Sequence, residues 1–369
     1  MDIGITSCTN TSDMSSSVMV QDMILEILSR LPASHVGKFR LLNKDCNKRS
    51  YESWFLNLNL HRTNSISGYF VQYNEGGYKF HTHERKDSEN NGVSIDFLPP
   101  GKAKIVACDA SNGILLCVNE TGPSVPEYVV CKPTTKQYHI IPDSIMQTCA
   151  VSFGLAVTQS NPFRYKILRL SRLPGILNRS RRTFVCEIFD SDSFVWKKIN
   201  NLRLPREDGL IYSNPVEATG CLHWLSGDDK VIRFCLKTET WSFFQTPKFG
   251  VYPKLVRYEG KLGVIRSWMT GDGEQLNRLW VLRSSFEKAW VKVKDMKNMG
   301  LGEKMLWTLS NEEIGISKRD RFCSFNINTE KMNVYQVKTE YVNYDCFPFC
   351  SDYERVDLNG RRDGTLNAI

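Results

Sequence analysis

The chain has 369 residues, room for about two domains and a sizeable core, and its 41% hydrophobic and 24% charged residues are the balance of a soluble globular protein. A formal net charge of +8 is too modest at this length to imply nucleic acid, and no stretch approaches the roughly 18 apolar residues of a membrane span. Twelve scattered Cys with no CxxC, behind an N-terminus with neither a basic start nor an apolar run, point to reduced thiols in the cytoplasm and/or nucleus.

Residues 1–17 are rich in Ser, Thr and Asn and read as a disordered tail. Asp22 can cap a helix, and Ile24, Ile27, Leu28 and Leu31 behind it fall at i, i+3, i+4 and i+7, one apolar stripe. Pro32 stops that helix, because the residue before a proline avoids the α region. Ser34 can cap a second helix carrying Val36 and Phe39, and a third runs through Lys44 to Arg49. "SWFLNLNL" from 53 closes a three-helix unit over residues 18–62. So small a unit carries more apolar side chain than its own interior needs. It is either a cap on the rest of the protein or a docking face for a partner's helices.

After residue 63 the pattern becomes β. "SGYFVQY" alternates as a strand and 81–92 is a polar loop. A unit then recurs: a strand, a turn with Thr or Ser and a charged residue, and a second strand opening on an aromatic. The marker aromatics are Tyr138, Trp196, Trp241, Trp290 and Tyr335, spaced by 58, 45, 49 and 45 residues. Those spacings are close to the roughly 40–50 residues of a propeller blade. Gly precedes an apolar run in "ASNGILLC", "TGCLHWL" and "EGKLGVI", which are expected to be the inner strands. The fold class is therefore mainly β with a small α N-terminal unit, the β part a kelch-like propeller-type domain over 63–350 and residues 351–369 a C-terminal tail.

Motifs for chemistry are sparse. There is no GxSxG, P-loop, HExxH or GxGxxG after a strand. His81 and His83 have no accompanying ligand pattern, and Cys346 and Cys350 lack a second pair. Asp190, Asp192, Asp228 and Asp229 flank turns, and His223 with Trp224 fits a structural strand. No catalytic residue, metal site or cofactor is expected. Two rivals stay open: a propeller enzyme with a polar pocket on its axis, and nucleic-acid binding through the Arg-rich segment 164–182.

These residues resemble a known family. "VQDMILEILSRLPASHVGKFRLLNKDC" is similar to the F-box, matching it at Asp22, Ile24, Ile27, Leu28, Arg30, Leu31, Pro32, Phe39, Arg40 and Lys44. "DASNGILLC", "KPTTKQYHIIP", "GCLHWLSGDDKVIRFCLKTETW", "YEGKLGVI" and "LWVL" resemble, in order, the strands of the F-box-associated domain of plant F-box/kelch proteins. The resemblance implies a three-helix F-box docking on a Skp-type adaptor, and through it on a cullin scaffold, while the β domain binds a protein target for ubiquitination. No membrane or nucleic-acid partner is expected. The side chains implied to face the adaptor are Val20, Ile24, Leu28, Leu31, Pro32, Val36 and Phe39. The alternative is a propeller binding protein with weak or no adaptor binding. Met19-Val20 stands where the family has Leu-Pro, Cys46 where it has Trp, and Arg49-Ser50 where it has an apolar pair. Losing the proline removes a fixed φ that pre-orders the chain before the first helix, the other two changes remove apolar area, and together they imply weaker docking. Target specificity is expected in the charged segments 81–92, 172–183, 203–215 and 269–277.

Overall fold

A computed structural model describes the chain from Ser12 to Asn359, apart from residues 32–35, 37–38, 40–43, 51–54, 56–57, 60–61, 64–65, 74–76, 83–92, 100–101, 121–125, 147, 173–180, 206–207, 211–213, 285–288, 298–305, 309–312, 319–320 and 337–343. It divides into two compact units, one up to Ser65 and one from Ile66.

The first unit holds α1 (Ser12–Leu28) and α2 (Lys44–Arg49). Val36, Phe39, Phe55 and Asn59 are helical residues between and after them. α1 starts ten residues before Asp22, inside the segment expected to be a tail. Asp22 is therefore not its cap but lies within the helix, where it takes an ion pair from Arg49 at 2.7 Å. Leu25, Leu28, Val36, Cys46 and Phe55 form a small buried core, with Ile24 and Leu31 packed half-buried against it.

The second unit is a six-bladed β-propeller. Five blades have four antiparallel strands each. The first is β3 (Lys102–Asp109), β4 (Ile114–Glu120), β5 (Glu127–Lys132) and β6 (Gln137–Ile140). The second is β7 (Ala150–Ser160), β8 (Phe163–Arg172), β9 (Arg181–Asp190) and β10 (Val195–Pro205). The third is β11 (Val216–Ala218), β12 (Cys221–Leu225), β13 (Lys230–Cys235) and β14 (Thr240–Gln245). The fourth is β15 (Val251–Tyr258), β16 (Lys261–Met269), β17 (Gln275–Ser284) and β18 (Ala289–Met296). The fifth is β19 (Leu306–Thr308), β20 (Glu313–Lys318), β21 (Arg321–Asn326) and β22 (Met332–Gln336). The sixth closes the ring with both ends of the unit: β23 (Tyr344–Ser351) pairs along its length with β1 (Ile66–Tyr73), and β1 with β2 (Tyr78–Thr82).

Neighbouring blades meet through their first strands, β3 against β7, β11 against β15, β15 against β19, and β23 against both β19 and β3. The inner ring is therefore made of the first strand of each blade. This corrects the expectation drawn from Gly-led apolar runs: "GILLC", "CLHWL" and "KLGVI" are the second strands β4, β12 and β16. Their continuous apolar character reflects cover on both faces of a blade, not closeness to the axis. Among the described residues, apolar clusters lie between successive blades, such as Leu168, Ile188 and Phe184 against Trp224, Ile232 and Phe234.

The turns explain the repeat in the sequence. Thr219–Gly220 and Glu259–Gly260 both carry φ > 0, at 52° and 70° and at 46° and 70°, the two-residue turn that suits the twist of a hairpin. Phe194, Glu239 and Glu330 sit left-handed at φ 58°, 54° and 55°, each N–H closing on a carbonyl four residues back, that of Asp190, Cys235 or Asn326. The aromatic markers then open the outer strands. The indole N–H of Trp196 donates to Pro142 O at 2.8 Å, that of Trp241 to Asn200 O at 2.9 Å and that of Trp290 to Gln245 O at 2.9 Å. Each Trp ties its blade to the one before it. Tyr138 stands at the equivalent place in the first blade and packs on Phe97. The chain stays packed beyond residue 350, so residues 352–358 are not a tail. Lys132 pairs with Asp352, Tyr165 OH donates to Leu358 O at 3.0 Å, and Leu358 is buried in the cluster between the first two blades.

Candidate functional site

α1 sorts its apolar residues onto two sides. Leu25, Leu28 and Ser29 face inward. Val20, Met23 and Ile27, at i, i+3 and i+7, form a stripe that stays 56%, 61% and 60% exposed. Phe39 is exposed as well. The helix end is fixed by Asn59, whose amide donates to Ser29 O at 3.1 Å and to Leu31 O at 2.7 Å. This satisfies carbonyls that a helix C-terminus leaves open. Glu26 accepts from Arg30 and Arg62, at 3.0 Å and 2.8 Å, and the two guanidinium groups, Arg62 first, hold its carboxyl below the ordinary glutamate range.

Of the side chains expected to face a partner, Val20 and Phe39 are exposed, Ile24 and Leu31 are half-buried, and Leu28 and Val36 lie in the core. Pro32 lies outside the described residues. Met23 and Ile27 were missed as surface residues because α1 is apolar on nearly all sides here, and periodicity alone does not say which side is covered. Cys46, where the family pattern has Trp, is buried in the same core.

In the propeller, strand direction alternates, so every connection from a second to a third strand and from a fourth strand to the next blade emerges at one end of the unit. Segments 172–183, 203–215 and 269–277 are anchored at that end, while 81–92 leaves β2 at the other. At the first end Phe249, Val251, Tyr252 and Met269 are exposed together at the seam of the third and fourth blades. Tyr252 is held left-handed at φ 53°. The Arg278 guanidinium lies 4.5 Å from the Phe249 ring and 4.4 Å from the Trp268 ring, and its Nε and Nη2 donate to Asp295 at 2.5 and 3.0 Å. This is an exposed patch of aromatic and apolar side chains, of the kind that anchors protein interfaces.

The residues weighed for chemistry are built into the fold. His223 is buried and its Nδ1 lies 3.1 Å from Val216 O; burial holds the imidazole down to about 4, hence neutral. Trp224 donates to Ser152 Oγ at 2.9 Å. Asp190 meets Lys166 and Asp192 meets Arg164. Asp228 pairs with Lys230 and Asp229 with Arg266. In the segment weighed for nucleic acid, Arg164, Lys166 and Arg169 are tied to Asp192, Glu239 and Glu187 at 2.8, 2.7 and 2.7 Å, so their charge is spent inside the blades. His81 stacks on Tyr69, and burial lowers it to about 4. His83 lies outside the described residues.

The arrangement defines a class: a six-bladed propeller with aromatic and charged loops at one end, preceded by a small helical unit with an exposed apolar stripe. A family model described as the F-box associated beta propeller domain matches residues 69–358. F-box protein At5g41720 of Arabidopsis thaliana is 46% identical over 167 residues, 43% of this chain and 89% of that protein. F-box protein At2g23160 of the same plant is 23% identical over 322 residues, 75% of this chain and 99% of that protein. The F-box/LRR-repeat/kelch-repeat protein At2g27520, also of Arabidopsis thaliana, is 28% identical over 234 residues, 61% of this chain and 60% of that protein. The chain belongs to this family, the plant F-box proteins with an F-box-associated propeller domain.

Proposed function

We propose that this chain is a substrate-recognition subunit of an SCF-type ubiquitin ligase, acting in the cytoplasm and/or nucleus. Its residues up to about 62 form the F-box and dock on a Skp-type adaptor, and through it on a cullin scaffold. The propeller holds a protein target for ubiquitination. The chain performs no bond chemistry of its own; it raises the effective concentration of target near a ubiquitin donor carried elsewhere in the complex.

The observation that carries the reading is the Val20–Met23–Ile27 stripe. Three large apolar side chains turned to solvent on a capped helix, in a unit with its own small core, are a surplus that a partner's helices would cover. Fully burying each is worth about 1.5–3 kcal/mol. Phe39 joins them as a fourth exposed anchor. For the target, the Phe249–Tyr252–Met269 patch is the surface we assign, because aromatic side chains lose little entropy on binding.

The test is a binding titration of the whole chain against a Skp-type adaptor, with Ile27→Arg and Tyr252→Ala alongside. Wild type should bind in the micromolar range or tighter, Ile27→Arg at least about tenfold more weakly, and Tyr252→Ala like wild type. A folded chain that does not bind the adaptor overturns the ligase reading and leaves a propeller that binds its ligand alone.

A further inference from the structure

Most cysteines of the propeller that the structure describes are sealed in cores. Cys117 and Cys131 touch in the cluster between the sixth and first blades, and the Cys117 thiol together with burial holds Cys131 far above the ordinary thiol range. Burial likewise raises Cys108 and pushes Cys186 up to about 12. Thiols in such places are inert.

Cys221 and Cys235 are placed differently. Cys221 opens β12 and Cys235 ends β13, and the two are direct partners in the strand register. The next pair along is hydrogen-bonded, with Leu236 N–H donating to Gly220 O at 3.2 Å. Cys221 and Cys235 therefore occupy a non-hydrogen-bonded position, where paired Cα atoms lie about 4.5 Å apart and side chains approach most closely. That spacing is within the range of about 4.4–6.8 Å that a disulfide spans. Both side chains are on the same face of the sheet, and the Cys221 thiol donates to Cys235 Sγ.

The surroundings divide the labour. Cys235 is half-exposed at the end of β13, whereas Cys221 is buried. Partial burial of Cys235 opposes its ionisation. The Thr238 hydroxyl, the N–H groups of Thr238 and Lys237, and the Cys221 thiol more than offset that and bring it down to about 7. Burial raises Cys221, and Arg233 counters it, its Nε donating to Cys221 Sγ at 3.1 Å. The turn that shapes the Cys235 environment is itself anchored: Lys166 and Lys197 of the second blade both reach Glu239, at 2.7 Å each.

We propose that Cys221 and Cys235 are a peroxide-oxidisable dithiol that closes to a cross-strand disulfide in the third blade. The Cys235 thiolate attacks a peroxide oxygen; the S–O bond forms, the O–O bond breaks, and water leaves after taking a proton. The Cys221 sulfur then attacks the resulting sulfenic acid. The S–S bond forms, the S–O bond breaks, and the departing hydroxide takes the Cys221 proton as a second water. Two thiols lose two electrons and the peroxide gains them; a small dithiol reductant reverses the change. Arg233 steadies the charge that develops on Cys221 as its proton leaves.

The experiment is mild hydrogen peroxide treatment of the full chain, alkylation of the remaining thiols and peptide mass spectrometry. Cleavage after Lys230 and Arg233 separates the two cysteines, so a linked peptide lighter by two hydrogens identifies the bond. Under doses that leave exposed Cys149 mostly alkylatable, labelling of Cys235 should fall at least about tenfold. Cys221→Ser should stop the reaction at a sulfenic acid on Cys235, trapped by dimedone, while its thermal melt shows the propeller still folded. The proposal is overturned if Cys149 oxidises while Cys221 and Cys235 both stay alkylatable. It is equally overturned if Cys235 runs to sulfinic acid in the wild type without ever linking.

Discussion

The two units bury apolar side chains on opposite plans. Among the described residues, the helical unit buries Leu25, Leu28, Val36, Cys46 and Phe55 together and leaves Val20, Met23 and Ile27 in water. The propeller puts its large apolar residues between blades, in clusters that each draw on two neighbours, and ties successive blades by Trp N–H bonds and ion pairs. On the proposed reading, an apolar residue at the surface of the first is spare capacity for a partner, and in the second the large apolar residues lie between blades and recognition falls to loops at one end. A substitution should therefore have a different signature in each: surface changes on α1 cost binding and not folding, whereas changes between blades cost folding first.

The largest effect should come from breaking the most buried ion pair among the propeller's described residues. Arg169 and Glu187 meet at 2.7 Å with side chains 3% and 0% exposed. Arg169 also reaches Tyr128 OH and Thr148 O. Arg169→Met leaves a carboxylate stranded and should destabilise the propeller by about 3–5 kcal/mol in urea unfolding, whereas the double change with Glu187→Leu should recover most of that. A single mutant as stable as wild type would break the picture of an interior packed between blades. Its counterpart in the other unit is Leu28→Ala. It should cost about 2–5 kcal/mol, enough to melt so small a core, and lower helicity by circular dichroism. Ile27→Ala, one residue away but exposed, should change stability by under about 0.5 kcal/mol.

How far the sequence disclosed this division depends on the residue. Trp196, Trp241 and Trp290 recur because each fills the same structural place, so the blades were legible. The order of strands within a blade was not, since apolar content is highest where both faces are covered, in β4, β12 and β16. The closing pair β1–β23 joins residues nearly the whole unit apart, and Leu358 and Val356 sit among mostly polar residues in "SDYERVDLNG"; neither feature leaves a periodic local signal. Around α1 the expected stripe joins Ile27 to Ile24, Leu28 and Leu31; packing instead turns Ile27 outward with Val20 and Met23, a choice that periodicity alone does not make. Nothing local in the sequence marks Asn59 in "NLNL" as the residue that serves the carbonyls at the end of α1.

Acid sharpens the contrast, because His223 is a propeller residue held neutral. Its folded imidazole is depressed to about 4, below the unfolded value near 6.5. Between those values the unfolded chain binds a proton that the folded chain refuses. Stability from this group is thus complete above about pH 6.5 and lost as pH falls toward 4, by an amount on the order of 3 kcal/mol. Burial raises the carboxyls of Glu217 and Asp345, which acts in the opposite sense. The net curve therefore has to be read against His223→Gln, whose urea stability should fall less than that of wild type between pH 7 and 4.5.

A pair of modest losses separates the two ways of fastening an element. Asn59→Ala removes an amide that serves the carbonyls at the end of α1, and should cost about 1 kcal/mol. Trp241→Phe keeps a ring against Phe234 and Trp224 but loses the N–H that meets Asn200 O, again about 1 kcal/mol. The sizes match but the consequences should not. In the helical unit the loss should fray the helix carrying the Val20–Met23–Ile27 stripe, so adaptor affinity should drop with it. In the propeller the same loss is spread over a ring of blades and should leave adaptor affinity unchanged. Equal effects of both variants on adaptor binding would mean that the two units do not act as separate folding elements, and the comparison would have to be abandoned.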